Sequence, residues 1–136
     1  MQNAPVVLVI DDDASMRLTL SVILGDDGYR VLSAADGDEG LAVLRHSAVD
    51  VVVVDMKMPG LSGDEVCAAV KAIRPAAGVI IITAHVAPNA ADRAMVAGAH
   101  SILYKPLDID GLLAAVAQLT DGAAGARDGR RVLTTS

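Results

Sequence analysis

The stretch that decides the fold is Val6-Val7-Leu8-Val9-Ile10-Asp11-Asp12-Asp13, a short apolar run that ends in three aspartates. A second apolar run, Val51–Val54, also ends in an aspartate, Asp55. Uninterrupted runs of this kind are typical of parallel strands that are buried on both faces of a sheet. If the two strands are neighbours, their aspartates meet at one edge of the sheet, where carboxylates repel one another unless a cation joins them. The pattern therefore predicts a divalent metal site, and the metal indicates phosphate chemistry.

Short β-like runs alternate with helical patterns along the rest of the chain. Strands are predicted at 6–10, 29–34, 51–54, 79–82 and 102–104, and a helical pattern follows each of them. This alternation is the signature of a parallel sheet with helices on both faces. Right-handed crossovers favour the flavodoxin-like strand order 2-1-3-4-5, which places the first and third strands side by side at the switch point. We therefore predict an α/β fold, a doubly wound (βα)5 domain.

Several helix starts can be predicted from local chemistry. Asp36 with Glu39, and Ser62 with Glu65, have the spacing of a capping box, in which the two side chains satisfy free backbone N–H groups. The alanine-rich helix predicted at about 87–97 has few large apolar groups. We expect it to pack shallowly and to shift easily, as switching elements do, although alanine is also simply a strong helix former.

Composition limits the classes of function. The chain has 136 residues, which fits one domain, and 53% of them are hydrophobic, with no Trp or Phe and two Tyr, so the core must be aliphatic. A net charge of −6 and the shortage of aromatics disfavour direct nucleic-acid binding and an anionic membrane surface. Cys67 is the only cysteine, and neither a signal peptide nor an apolar run of about 20 residues is present. We expect a cytoplasmic protein.

The domain is predicted to span residues 1–120. Residues 121–136 are rich in Gly, Ala and Arg, end in Thr-Thr-Ser and show no sustained period. Such composition is typical of a flexible C-terminal tail or a linker.

Two further polar residues follow predicted strands, Thr83 after the fourth and Lys105 after the fifth. Ligands of open α/β sheets bind beyond the carboxyl ends of the strands. A lysine there supplies a point charge for a phosphoryl group, and a threonine supplies a neutral donor. Each residue alone has an ordinary explanation, such as a helix cap for Asp13, a strand end for Thr83 and a solvated surface lysine for Lys105. Their joint placement on one edge is what indicates a site.

At these residues the chain resembles a known family, the receiver domain of two-component response regulators, of the chemotaxis-regulator type. The resemblance covers roughly residues 5–120. It is carried by Asp11-Asp12, by Asp55-Met56-Lys57-Met58-Pro59-Gly60-Leu61-Ser62-Gly63, by Thr83-Ala84 and by Lys105-Pro106. The combination is highly specific, although no single piece of it is.

The resemblance implies a role for each acid. Asp55 would be the phosphoacceptor, which attacks the phosphorus of a phosphohistidine and forms an aspartyl phosphate. Asp12, Asp55 and the backbone carbonyl of Lys57 would bind Mg²⁺ (or Mn²⁺) directly, and Asp11 would hold it through water. The Lys57 side chain would also flank the phosphoryl group.

The resemblance also implies roles for residues around the acids. Lys105 would pair with the phosphoryl group, Thr83 would donate to it, and the peptide bond before Pro106 would be cis. His85 would lie near enough to tune hydrolysis, although an ordinary surface role is equally open. At Ile102 the family has an aromatic switch residue that is missing here. We therefore expect a subtler rearrangement, carried by the loop after Thr83 and by the fourth helix.

The function that the resemblance implies is a phosphoacceptor signalling switch whose partner-binding surface changes on phosphorylation. It would not be a turnover enzyme, although it would assist its own phosphorylation and dephosphorylation. Its partners would be a sensor histidine kinase or histidine phosphotransfer protein and a downstream protein or output domain, with homodimerisation through the fourth and fifth helices left open. One alternative is a phosphorylation-independent adaptor with a receiver fold. Another is a phosphatase of the haloacid-dehalogenase type, because Asp11-x-Asp13-x-Ser15 loosely resembles the nucleophile motif of those enzymes.

Overall fold

The computed structural model describes residues 4–84 and 89–127, and within them five strands alternate with five helices. The strands are β1 (Val6–Ile10), β2 (Arg30–Ala34), β3 (Val51–Asp55), β4 (Gly78–Thr83) and β5 (Ser101–Tyr104). The helices are α1 (Ala14–Asp26), α2 (Gly37–His46), α3 (Gly63–Ile73), α4 (Ala90–Val96) and α5 (Ile109–Arg127). All neighbouring strands pair in parallel in the order β2-β1-β3-β4-β5. The predicted flavodoxin-like topology is confirmed.

Each face of the sheet is covered by its own set of helices. Leu8 and Ile10 of β1 pack on one face with the buried residues of α2, α3 and α4. Val7 and Val9 of β1 pack on the other face with those of α1 and α5. The buried side chains are overwhelmingly aliphatic, as the composition predicted, and each fully buried one contributes about 1.5–3 kcal/mol through removal of apolar surface from water.

The predicted caps place three helix starts at the carboxyl edge of the sheet. The Asp13 carboxylate accepts from the backbone N–H of Ser15 at 2.9 Å and begins α1. The Asp36 carboxylate accepts from the N–H of Glu39 at 2.8 Å at the start of α2. Before α3, Glu65 reaches back to accept from the N–H of Ser62 at 2.9 Å. These caps fix where the loops after the strands end, and so they shape the edge on which the site lies.

The packing of α4 agrees with the prediction, whereas α5 is longer than predicted. Burial is described for residues 91–96 of α4, and among these Ala94 alone is buried, while Val96 is 89% exposed. The helix therefore packs shallowly, as predicted. Residues 87 and 88 of its predicted range lie outside the described residues. The helix α5 continues to Arg127, past the boundary expected at residue 120. The alanines in this stretch favour helix, and a periodic apolar face is not needed to extend a helix that has already formed. The tail beyond Arg127 lies outside the described residues.

Candidate functional site

The register of the sheet brings the acids together. Ile10 pairs with Val54 across β1 and β3, so the next residues, Asp11 and Asp55, leave the sheet side by side. Carboxylate oxygens of Asp11, Asp12 and Asp55 all lie within 4.8 Å of one another. Asp11 is 2% exposed and Asp55 is 8% exposed, whereas Asp12 is open to solvent. The predicted cluster of three carboxylates is therefore present, with two of its members buried.

A hydroxyl and an ammonium group complete this edge. Thr83 ends β4 and pairs with Tyr104 of β5, and the backbone N–H of Lys105 donates to the Thr83 carbonyl at 2.8 Å. The Nζ atom of Lys105 then lies 3.5 Å from Oδ1 of Asp55. The peptide bond between Lys105 and Pro106 is cis. The Lys105 ammonium thus lies beside the Asp55 carboxylate.

Burial and mutual repulsion make this cluster electrostatically costly. Burial raises the pKa of Asp11, against the opposing effects of a backbone hydrogen bond from Asp13 and of the Lys105 charge. Burial also raises the pKa of Asp55, which Lys105 lowers and the neighbouring Asp11 raises again. A single lysine does not balance three carboxylates, and an all-oxygen donor set of this kind suits a hard divalent cation. The residues therefore fit Mg²⁺ or Mn²⁺.

The loop between β3 and α3 folds back against Asp55. The N–H of Gly63 donates to the carbonyl of Met56 at 2.8 Å. A Cβ at Gly63 would lie 2.7 Å from the Met56 Cα and 2.8 Å from the Asp55 carbonyl oxygen, so only glycine allows this approach. Lys57, next to Met56, is exposed, and its backbone carbonyl as a metal ligand stays a prediction.

The structure also shows a residue that the sequence did not single out. Arg17, in the second turn of α1, donates from Nη1 to the backbone carbonyl of Asp11 at 2.7 Å. Its spacing in the sequence could have indicated this contact, because a long side chain four residues after the capping Asp13 can reach back over the turn formed by residues 11–13, which we call the acid turn.

The remaining predicted positions contribute less. His85 lies outside the described residues. Ile102 is partly buried and packs against the core that the sheet shares with α2, α3 and α4. Tyr104, two residues later on β5, is 42% exposed.

Fold and site together define a doubly wound α/β domain with a cluster of three carboxylates and a lysine at the carboxyl edge of its sheet. The chain matches the family model of the response regulator receiver domain over residues 7–117. It belongs to that family, the phosphoacceptor signalling switches of two-component systems.

Known proteins similar to this chain agree with that assignment. The chain is 36% identical over 124 residues to the transcriptional regulatory protein GlrR of Escherichia coli, a match that covers 91% of this chain and 28% of GlrR. A response regulator receiver domain protein from Clostridium thermocellum superposes with a TM-score of 0.81 at 36% identity, covering 86% of this chain and 94% of that one. The chemotaxis protein CheY4 of Vibrio cholerae superposes with a TM-score of 0.80 at 31% identity, covering 86% and 99%.

The chain spans 28% of the length of GlrR, 44% of the response regulator receiver protein Anae109_2439 of Anaeromyxobacter and 24% of the transcriptional regulatory protein ZraR of Salmonella typhimurium. Within the part of the chain that the structure describes, none of the helices is both long and apolar enough to cross a bilayer.

Proposed function

We propose that Asp55 is the residue that accepts the phosphoryl group. The observation that carries this proposal is its position, since its buried carboxylate lies among two other acids and 3.5 Å from the Lys105 ammonium. An oxygen of Asp55 attacks the phosphorus of a phosphohistidine as the bond from phosphorus to the histidine nitrogen breaks. The electron pair of that bond stays on the imidazole, and the acyl phosphate forms on Asp55.

The acid turn and the β3–α3 loop hold the cation for this step. Asp12, Asp55 and the Lys57 carbonyl would hold it directly, and Asp11 would hold it through water. The bound cation supplies the charge that neutralises the phosphoryl oxygens. An open cleft of about 440 Å³, lined by Asp12, Gly60 and Leu61 among others, borders the site at Asp12.

Lys105 and Thr83 act on the phosphoryl group itself. The Lys105 ammonium pairs with Asp55 before transfer and with the phosphoryl oxygens after it, because those oxygens then carry the charge. The Thr83 hydroxyl donates to the same oxygens. Phosphorylation therefore shifts the preferred position of the loop that follows β4. A local change of charge is in this way converted into a conformational change.

The readout that we propose is a shift of α4, which is held by few buried groups. Ile102 replaces the aromatic residue that accompanies this shift elsewhere in the family, so the rearrangement is carried by the loop after Thr83 and by α4 itself. Lys57 and His85 set how fast the phosphoryl group is hydrolysed. The domain assists its own phosphorylation and dephosphorylation and turns over no other substrate.

The proposed donor is a sensor histidine kinase or a histidine phosphotransfer protein in the cytoplasm. The receiver unit spans residues 1–120, and the signal passes to a downstream protein or to an attached output domain. The curated relative GlrR is a longer transcriptional regulator, whereas CheY4 is nearly matched end to end, so both arrangements occur among similar proteins.

Incubation with Mg²⁺ and acetyl phosphate, followed by intact mass, tests the proposal. A phosphoryl adduct is expected in the wild-type protein, and it should be absent in Asp55→Asn and absent without metal. An adduct that survives Asp55→Asn and is lost in Asp11→Asn would instead favour the phosphatase chemistry. A folded protein that binds Mg²⁺ and never forms an adduct would favour the adaptor.

A further inference from the structure

We propose that Arg17 is a positioning residue that holds the metal-binding acid turn in shape, an inference that rests on the proposed function of that turn. Its guanidinium donates to the backbone carbonyl of Asp11 at 2.7 Å, and its side chain is half-buried. A charged donor bound at this distance makes one of the stronger hydrogen bonds available to a protein. The contact is made to the backbone of a buried acid, not to a carboxylate.

The acid turn is closed by four hydrogen bonds, and Arg17 makes two of them. The Asp13 N–H donates to the Asp11 carboxylate at 2.9 Å, and the Ser15 N–H donates to the Asp13 carboxylate at 2.9 Å. The backbone N–H of Arg17 donates to the Asp13 carbonyl at 3.0 Å, and its side chain reaches Asp11. Arg17 therefore ties both ends of the turn to the first helical turns of α1.

The position of the Asp11 carbonyl fixes the peptide plane that joins Asp11 to Asp12. That plane sets the directions of both side chains relative to Asp55. Carboxylate oxygens of three acids lie within 4.8 Å of one another, and without metal their repulsion favours opening of the turn. Because Arg17 opposes that opening, it holds the metal ligands in the arrangement that binds the cation. Groups that orient metal ligands commonly change metal affinity by about 10–100-fold when they are removed.

The charge of Arg17 and its hydrogen bond to the acid turn predict opposite changes in Mg²⁺ affinity when Arg17 is replaced. As a cation near the acids, Arg17 weakens Mg²⁺ binding, so its removal would strengthen that binding. As an anchor of the turn, it strengthens Mg²⁺ binding, so its removal would weaken it. The sign of the change therefore separates the two roles.

The test is calorimetric titration of the full chain with MgCl₂, in wild type and in Arg17→Met, Arg17→Lys and Arg17→Gln. Arg17→Met removes both charge and donor, and we expect its affinity for Mg²⁺ to fall about tenfold. Lys keeps the charge with a donor, and Gln keeps a donor without the charge. We expect both to lie between wild type and Arg17→Met. Arg45→Met, at an exposed position of α2, is the matched control for losing one arginine charge and should leave the affinity near that of wild type.

A second readout needs no metal. Hydrogen exchange of the Asp13 amide, which donates within the turn, should be faster in Arg17→Met than in Arg17→Lys. If Arg17→Met does not fold, Arg17→Gln and Arg17→Lys carry both measurements. Affinity for Mg²⁺ that is unchanged or tighter in Arg17→Met, or in both Arg17→Gln and Arg17→Lys if Arg17→Met does not fold, overturns this inference alone. A wild-type protein that binds no Mg²⁺ overturns the proposed function, and this inference with it.

Discussion

The Nζ atom of Lys105 lies 3.5 Å from Oδ1 of Asp55, where β5 and β3 end at the same edge of the sheet. The Asp55 side chain is 9% exposed and that of Lys105 is 26% exposed, so solvent screens the pair only in part. The pair lies beside two further carboxylates, and Lys105 lowers the pKa of both buried acids. The lysine thus stabilises the metal-free site as well as preparing it for a phosphoryl group.

Replacing Lys105 should therefore destabilise the metal-free protein. For Lys105→Met we expect the free energy of unfolding to fall by about 1–2 kcal/mol. This lies between the small contribution of exposed ion pairs and the larger cost of breaking a fully buried pair. Urea unfolding in the presence of a chelator measures it. Lys105→Arg, which keeps the charge, should lose less. Equal stability of Lys105→Met and wild type would show that the pair has no energetic role.

The pH dependence of stability should report the buried acids. Burial raises the pKa of Asp11 above its ordinary value of 3.8, so the folded state holds that proton more tightly than the unfolded state does. The stabilisation that comes from this raised pKa is fully present below the pKa of Asp11 in the unfolded state. It is lost as the pH rises through the pKa of Asp11 in the folded state.

Asp11→Asn tests this sign, because its amide oxygen can still accept from the Asp13 N–H while the charge is gone. We expect the metal-free variant to be about 1 kcal/mol more stable than wild type at neutral pH, as repulsion among the acids is relieved. At a pH below 3.8 the two should have the same stability. Thermal unfolding across this pH range, with chelator present, makes the comparison. A variant that is no more stable at neutral pH would contradict the assigned cost of the cluster.

Topology made most of the site predictable from the sequence. Parallel strands that end at one edge bring their following residues together, so Asp11, Asp55, Thr83 and Lys105 could be placed without coordinates. The strand order followed from the alternation of strands and helices and from the hand of the crossovers. These inferences depend on the backbone alone, which is why they succeeded.

Features that depend on the reach of one side chain or on weak local preference were not predicted from the sequence. The hydrogen bond from Arg17 to Asp11 requires one particular rotamer of a long side chain. The extension of α5 to Arg127 lies in a stretch without periodicity, where helix and coil differ little in free energy. The start of β2 at Arg30, one residue after the expected Tyr29, depends on the pairing of Val6 with Arg30.

Gly63 should be irreplaceable for the shape of the loop. Gly63→Ala would place a Cβ 2.7 Å from the Met56 Cα, and backbone atoms cannot give way as a flexible side chain can. We expect the free energy of unfolding to fall by about 1–3 kcal/mol, as at other overpacked positions, and the phosphoryl adduct to form more slowly. Gly25→Ala is the matched control, since Gly25 lies in α1 and the added group would meet nothing within 4 Å beyond its chain neighbours and the backbone of its own helix. This variant should be more stable than wild type by up to about 1 kcal/mol. Wild-type behaviour of Gly63→Ala would contradict the close approach.

Replacing Thr83 should leave phosphorylation intact while removing the conformational change of α4 that follows it. Thr83→Ala keeps Asp55 and the acids, so the phosphoryl adduct should still form, with at most about a tenfold change in rate. The change in hydrogen exchange of Ala90–Val96 on phosphorylation should be lost. Thr83→Ser, which keeps the hydroxyl, should retain that change. An undiminished response of α4 in Thr83→Ala would show that the signal leaves the site by another path.

The measurement that tests the central claim most directly is the chemical identity of the phosphorylated residue. The protein is phosphorylated with acetyl phosphate and Mg²⁺, reduced with borohydride, which converts an acyl-phosphorylated aspartate into homoserine, and mapped by peptide mass spectrometry. We predict homoserine at position 55 alone, and none when the metal is removed by a chelator. Homoserine at position 11 or 12, or none at any position while Mg²⁺ is bound, would contradict the account.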